Sequence, residues 1–146
     1  MIPYDCMIYF SKKQYDKCLE ILEKEKNKDN IKDNINEILY KKSEIYYELA
    51  KIESDTKRLN KAIGLLKTLI KKDNNKTYNE YAFLASIYNE KIKLLEPKKY
   101  EKKIKSYYRK VIEYYNKAIN LSIKLIIFSM IKGMNILFTK QMHRII

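Results

Sequence analysis

The sequence predicts an all-α protein in which antiparallel helix-turn-helix units repeat along the chain, and three features carry this prediction. Its 146 residues suit one domain with a single core. Two glycines and two prolines are too few for the turns of a β protein. A hairpin pattern at residues 43–76 returns at residues 108–121 and more faintly at residues 15–24. Because such a hairpin cannot bury its apolar face alone, its recurrence indicates units that stack on their neighbours.

The first unit is predicted as a short leading helix that contains Cys6 and a second helix at about residues 12–28, with a capping box at the start of the second. Ser11 and Gln14 have the spacing at which a hydroxyl accepts from the third amide and the later side chain reaches back. The asparagine-rich residues 26–34 that follow predict a loop. Four apolar residues fall on one stripe of this helix: Tyr15, Cys18, Leu19 and Leu22.

The second unit is predicted as two helices, at about residues 35–53 and 58–72. Between them, the side-chain oxygens of Ser54, Asp55 and Thr56 are placed to cap the second helix. The first apolar stripe consists of Ile38, Leu39, Ile45, Tyr46, Leu49 and Ile52. The second stripe consists of Leu59, Ala62, Ile63, Leu66, Leu69 and Ile70.

The third unit is predicted as a helix at residues 78–95 and a long helix at about 98–132. Thr77 and Glu80 form a second capping box, and Pro97 suits the first turn of the long helix, where its missing donor costs nothing. The inward residues of the first helix are Tyr81, Leu84, Ala85 and Tyr88. Those of the long helix are Tyr100, Ile104, Tyr107, Val111, Tyr115, Ala118 and Leu125.

The final segment, residues 121–146, differs from the rest because it is apolar nearly all round and contains no acid. A helix of this kind is either buried or in contact with lipid. Lys124 and Lys132 interrupt it, and each charge costs on the order of 3 kcal/mol at the centre of a spanning helix. Three interpretations stay open: a helix that caps the open end of the stack, a membrane-associated tail, or the end of a damaged or truncated gene.

The formal net charge of +13 is spread over the helix surfaces and consists almost entirely of lysine. Only Arg58, Arg109 and Arg144 could form the forked contacts that read phosphate. Scattered lysine among glutamates is typical of a solvated surface, so nucleic acid is not the first partner expected.

Cysteine usage and the start of the chain predict a reducing, cytoplasmic location. Cys6 and Cys18 lie in separate predicted helices, with no second pair for a disulfide framework or a zinc site, and Cys18 is assigned to the core. The start lacks a basic region and a small-residue cleavage site, so no secretory signal is predicted. The glycosylation triplets at Asn75 and Asn120 are therefore taken as chance matches.

The residues of the hairpin at 43–76 resemble the tetratricopeptide repeat, a 34-residue helix-turn-helix unit. The matching aromatic, leucine and small positions are Tyr46, Leu49, Ala50, Ala62 and Leu66. The third unit matches at Tyr81, Leu84, Ala85, Tyr88, Val111, Tyr115 and Ala118, and the first at Tyr15, Cys18 and Leu22. The pattern is degenerate, because Leu69 replaces a small residue, Asn74 stands at the turn proline, and residues 96–107 carry an insertion.

The resemblance implies a short right-handed solenoid over residues 1–121, with units at about 1–30, 43–76 and 78–121, followed by an apolar helix at 122–146. In such a stack the first helices line a groove that holds a peptide or helix of a partner. The implied groove residues are Glu44, Tyr47, Lys51, Asn79, Ala82, Ser86 and Asn89. The charged clamp of some family members is not assembled, since only Lys51 and Asn89 could contribute to it. Tyr47 and Tyr78 lie off the inward stripes and are the tyrosines expected to make contacts.

The function expected from these features is a non-catalytic protein-protein interaction module. The single histidine, His143, lies near the chain end, and Gly64 and Gly133 are isolated, so no catalytic, cofactor or metal site is predicted. Two alternatives stay open. One is a tail-anchored membrane adaptor, which would resemble the mitochondrial fission proteins in its length and degenerate helical bundle, and the other is a basic nucleic-acid-binding protein.

Overall fold

The computed structural model describes residues 2–26, 35–72 and 78–145, which form six α-helices. They are α1 (Tyr4–Ser11), α2 (Tyr15–Lys26), α3 (Ile35–Glu53), α4 (Thr56–Lys72), α5 (Tyr78–Lys93) and α6 (Glu101–Ile145). No residue in these three ranges lies in a strand, so the predicted all-α class is confirmed. Thr77, Asn74, Asn75 and most of the predicted loop at 26–34 lie outside the described residues.

The helices pair as three antiparallel hairpins, and each helix packs mainly on its neighbours in sequence. In α5 and α6, Tyr88 contacts Tyr107 whereas Tyr81 contacts Tyr114, so residue numbers rise along one helix and fall along the other. The α1–α2 hairpin is closed by the rings of Phe10 and Tyr15, whose centroids lie 5.5 Å apart.

The two helices of the α3–α4 hairpin are also antiparallel. Arg58 pairs with Glu53 beside its turn, and Lys61 lies over the ring of Tyr46 further along. Successive hairpins are also antiparallel where they meet. Lys42 of α3 pairs with Glu23 of α2, and Lys91 of α5 donates to Asn60 of α4 at 2.8 Å.

Because successive helices run in opposite directions, the bundle has two distinct ends. The turns within the three hairpins lie at one end, called here the turn end. The segments that connect successive hairpins lie at the other, called here the connection end, and α6 also runs toward it.

The core consists of two clusters on either side of α3. Cys6, Cys18 and Leu22 of the first hairpin pack against Ile38, Ile45 and Leu49 of α3. The larger cluster joins α4, α5 and the first half of α6, and it also takes Ala50 from α3. The predicted stripe of α4 is confirmed, because five of its six members are buried: Leu59, Ala62, Ile63, Leu66 and Leu69.

One helix start agrees with the prediction from the sequence, and two differ from it. Asp55 caps α4 as predicted, with its Oδ1 accepting from the amide of Lys57 at 2.9 Å. The capping box at Ser11 is wrong, because Ser11 ends α1 and its hydroxyl donates to the carbonyl of Ile8 at 2.7 Å. Pro97 lies in a turn before α6, closed by a hydrogen bond from the Tyr100 amide to the Glu96 carbonyl. The helix itself begins only at Glu101.

Three residues assigned to inward stripes are exposed. Tyr115 is 37% exposed while its neighbour Tyr114 is 8% exposed, because the contact of α6 with α5 follows Val111, Tyr114 and Ala118. Ile52, near the end of α3, is 64% exposed, and Leu125 is 53% exposed. Tyr81 and Tyr88 are buried as predicted, and Tyr46 and Tyr107 are half-buried.

Candidate functional site

Helix α6 is one continuous helix of 45 residues, and only its first half packs on the domain. Val111, Tyr114 and Ala118 are buried, and Leu121 and Ser122 are half-buried. Every side chain from 123 to 144 is exposed. These 22 residues, called here the projecting segment, extend about 33 Å at 1.5 Å per residue. That length matches the roughly 30 Å hydrocarbon core of a bilayer.

The projecting segment does not fold back to cover the end of the stack, as the capping interpretation required. A return would need a break in α6 where it leaves the domain, and residues 118–123 contain neither proline nor glycine. The helix therefore continues along its own axis past the connection end.

The projecting segment is part of a helix that is long and apolar enough to cross a membrane. An 18-residue window of α6 reaches a mean hydropathy of 1.7, and none of that window is buried. A soluble monomer rarely leaves so much contiguous apolar surface in water. The large hydrophobic side chains exposed here are Ile123, Leu125, Ile126, Ile127, Phe128, Met130, Ile131, Met134, Ile136, Leu137, Phe138 and Met142.

The basic residues of the projecting segment gather toward its two ends, with one exception. Lys124 lies at the domain side, and Lys140, His143 and Arg144 lie at the far side. Side chains at such positions reach the headgroup region while their helix stays in lipid. Lys132 is the exception, since it lies about 12 Å along the axis from both Lys124 and Lys140. Its Nζ is 5.7 Å from the centroid of the Phe128 ring.

The apolar side chains and Lys132 nearly balance in the free energy of insertion. Between residues 125 and 138 the segment has eight isoleucine, leucine and phenylalanine residues. Together they favour insertion by roughly 2–5 kcal/mol, and a central lysine opposes it by about 3 kcal/mol. The net free energy of insertion from these nine side chains therefore lies close to zero.

A second candidate surface lies where α3 and α5 meet through aromatic rings. The Phe83 centroid is 5.7 Å from that of Tyr40 and 5.2 Å from that of Tyr47. Burial raises the pKa of Tyr47 to about 12, with smaller contributions from Glu90 and Glu48. Lys51 lies 4.5 Å above the Tyr47 ring and 3.1 Å from Glu48 Oε1. This surface is called here the α3–α5 face.

An open cleft of about 400 Å³ lies at the connection end of this face. It is lined by Ile2, Asn36, Glu37, Tyr40, Lys41, Glu44, Leu69, Asn79 and Glu80. Lys41 Nζ is 3.5 Å from Glu44 Oε2 and 4.0 Å from the Phe10 ring centroid, so the lysine links the cleft to the first hairpin.

The residues predicted for a groove fall on this face but not in one pocket. Glu44 and Asn79 line the cleft, whereas Tyr47 and Lys51 lie further toward the turn end. Ala82, Ser86 and Asn89 are half-buried on α5, and the Ser86 hydroxyl donates to the Ala82 carbonyl at 3.1 Å. Tyr78, the other tyrosine expected to make contacts, is 43% exposed.

Sequence reasoning missed Tyr40, Lys41 and Phe83. The seven-residue spacing of Tyr40 and Tyr47 marks a second apolar face of α3. That spacing could have indicated the aromatic contact with α5.

The two cysteines face each other in the α1–α2 hairpin, and both are fully buried. Cys18 Sγ lies 3.1 Å from the Cys6 carbonyl oxygen. Burial, with the nearby Cys6 thiol, raises the pKa of Cys18 to about 12, so this thiol stays protonated at neutral pH. In the described ranges no group of three or more histidine, cysteine, aspartate or glutamate side chains is arranged to hold a metal ion.

The chain has no significant match among protein-family models, curated proteins or solved structures.

Proposed function

We propose that this protein is a membrane-anchored, non-catalytic adaptor whose helical domain is held at a bilayer surface by the projecting segment of α6. The observation that carries the proposal is the complete exposure of an apolar helix about as long as a bilayer is thick. Because all backbone groups of a helix are satisfied internally, such a segment enters lipid without unpaired donors or acceptors.

The domain that the segment would hold suits recognition by its shape. Three consecutive antiparallel hairpins, each packed on the next, are the arrangement expected of a short tetratricopeptide-like stack. In such a stack α3 and α5 would line the binding surface. The α3–α5 face offers aromatic rings for apolar contact and a rim of lysine and glutamate for orientation.

Membrane fractionation tests the anchor. We expect the full chain to sediment with membranes and to resist both high salt and alkaline carbonate. A variant that ends at Leu121 should stay in the supernatant. Recovery of the full chain in the soluble fraction as a defined oligomer would contradict the proposal, because the projecting segments would then be burying one another.

Pull-down with paired variants tests the α3–α5 face. Tyr47→Ala with Lys51→Glu should abolish capture of a partner peptide or helix that wild type retains. Tyr108→Ala with Lys105→Glu is the matched control, because it makes the same changes at exposed positions of α6. If both double variants capture the partner equally well, the α3–α5 face is not the binding surface.

A further inference from the structure

Several lysines surround the point at the connection end where α6 leaves the domain. Lys117 lies on α6, with its Nζ 5.5 Å from the Tyr114 centroid and 5.7 Å from that of Tyr81. Lys124 follows two turns later and lines the same shallow cleft. Both precede or begin the projecting segment, so they lie at the level where a bilayer surface would meet the domain.

Helix α4 brings more lysines to the same level. Lys67 lies near the Tyr114 ring, where its charge favours the ionised phenol and opposes the rise in the pKa of Tyr114 that burial causes. Lys71 and Lys72 follow within the last turn of α4, both exposed. Their positions extend the basic surface from α6 onto the neighbouring helix.

This lysine collar comprises Lys67, Lys71, Lys72, Lys117 and Lys124. Within the described ranges only Lys117 has an acidic partner, Glu113, whose Oε1 is 3.3 Å from its Nζ. The other four lysines are in no ion pair with a described residue. Their charge is therefore directed outward, to solvent or to a ligand.

We propose that the lysine collar binds the anionic phospholipid headgroups of the leaflet from which the projecting segment emerges, and that this attraction decides whether the segment inserts. The inference rests on the proposed anchor. Lysines near an anionic surface each raise membrane partitioning several-fold, and the apolar segment alone has little surplus because of Lys132.

The turn end provides a matched control. Lys98, Lys99 and Lys102 are also exposed, but they lie near the start of α6, about 30 Å along its axis from Leu121. At that distance an anionic surface is screened at physiological salt. Replacing these three lysines changes the net charge by the same amount as replacing three lysines of the collar.

The experiment is flotation of the full chain with vesicles of phosphatidylcholine alone and with about 30% phosphatidylserine. We compare wild type, the collar variant (Lys67→Gln, Lys71→Gln and Lys72→Gln together) and the control variant (Lys98→Gln, Lys99→Gln and Lys102→Gln together). Wild type and control should partition at least about tenfold better onto the anionic vesicles, and the collar variant, which keeps Lys117 and Lys124, should lose most of that preference. Circular dichroism checks that all three fold alike.

The outcomes separate the two proposals. Salt-resistant flotation of wild type without any preference for anionic lipid would overturn the collar and leave the anchor standing. Flotation on neither vesicle would overturn the anchor and the collar with it. Equal losses in the collar and control variants would show a general charge effect and overturn the collar. Loss of binding to a duplex oligonucleotide in the collar variant, with vesicle binding unchanged, would assign the surface to nucleic acid instead.

Discussion

At the scale of single residues, the cysteine pair shows how burial sets chemistry. Cys6 and Cys18 are separated by eleven residues in sequence but pack against each other because the α1–α2 turn reverses the chain. The apolar surroundings disfavour a thiolate, so both pKa values are raised. The folded protein therefore holds a proton on Cys18 at pH values where the unfolded chain has lost it.

Because the pKa of Cys18 is raised in the folded state, we expect the protein to lose stability at alkaline pH. The contribution of Cys18 is complete below its unfolded pKa of about 9 and falls as pH rises toward its folded pKa of about 12. Between pH 8 and pH 10.5 we expect the free energy of unfolding to drop by about 1–2 kcal/mol through this group. Urea titration of the full chain in nonionic detergent measures it.

The Cys18→Ala variant is the control for the alkaline effect. Lysine and tyrosine also titrate in this range, so the quantity to compare is the drop in wild type minus the drop in the variant. Equal drops in the two proteins would mean that the Cys18 thiol is not held protonated by the fold.

At the scale of elements, α6 combines two environments in one helix without a break. Its first half packs against α5, and its second half presents apolar side chains in all directions. A helix that needs one buried face would show polar residues opposite it, and the projecting segment has only a few. In the proposed anchor, the central Lys132 is the residue that opposes insertion most.

Substitutions along α6 test this balance. Lys132→Leu should strengthen insertion by about 3 kcal/mol, and Ile131→Lys should weaken it by a similar amount. Ile112→Lys, at an exposed position about 16 Å along the axis of α6 from the start of the projecting segment, should leave insertion unchanged. Alkaline carbonate extraction of membranes measures the three variants. If all three variants are extracted to the same extent as wild type, residues 131 and 132 do not lie in lipid.

At the scale of the whole molecule, the helices pack mainly on their neighbours in sequence and form two core clusters rather than one central core. Among the described residues, α3 is the helix that supplies buried residues to both clusters. The cluster under the first hairpin is the smaller, and α1 has only eight residues. Local opening is therefore expected to cost least at α1 and α2.

Hydrogen exchange checks this gradient of stability. We expect the slowest exchange in α4 and α5 and the fastest among described helices of the domain in α1. Leu22→Ala should cost about 3 kcal/mol and speed exchange mainly in α1, α2 and the adjoining part of α3. Leu66→Ala should cost a similar amount but act on α3 to α6. Uniform acceleration by either variant would indicate one cooperative unit instead.

The sequence by itself determined the helices and much of the second hairpin. Periodic apolar residues and scarce glycine and proline leave a helix as the only regular structure available, and Asp55 caps α4 through a bond between near neighbours. These features depend on contacts within a few residues, so sequence spacing predicts them.

Only the tertiary structure decided which faces meet and where α6 goes. Tyr114 rather than Tyr115 is buried, and Phe83 joins Tyr40 and Tyr47, because the crossing of two helices selects among adjacent apolar positions. The projecting segment has a composition that fits a cap, a partner or lipid equally well. Its exposure follows from the unbroken axis of α6, which carries it beyond the reach of every described helix of the domain.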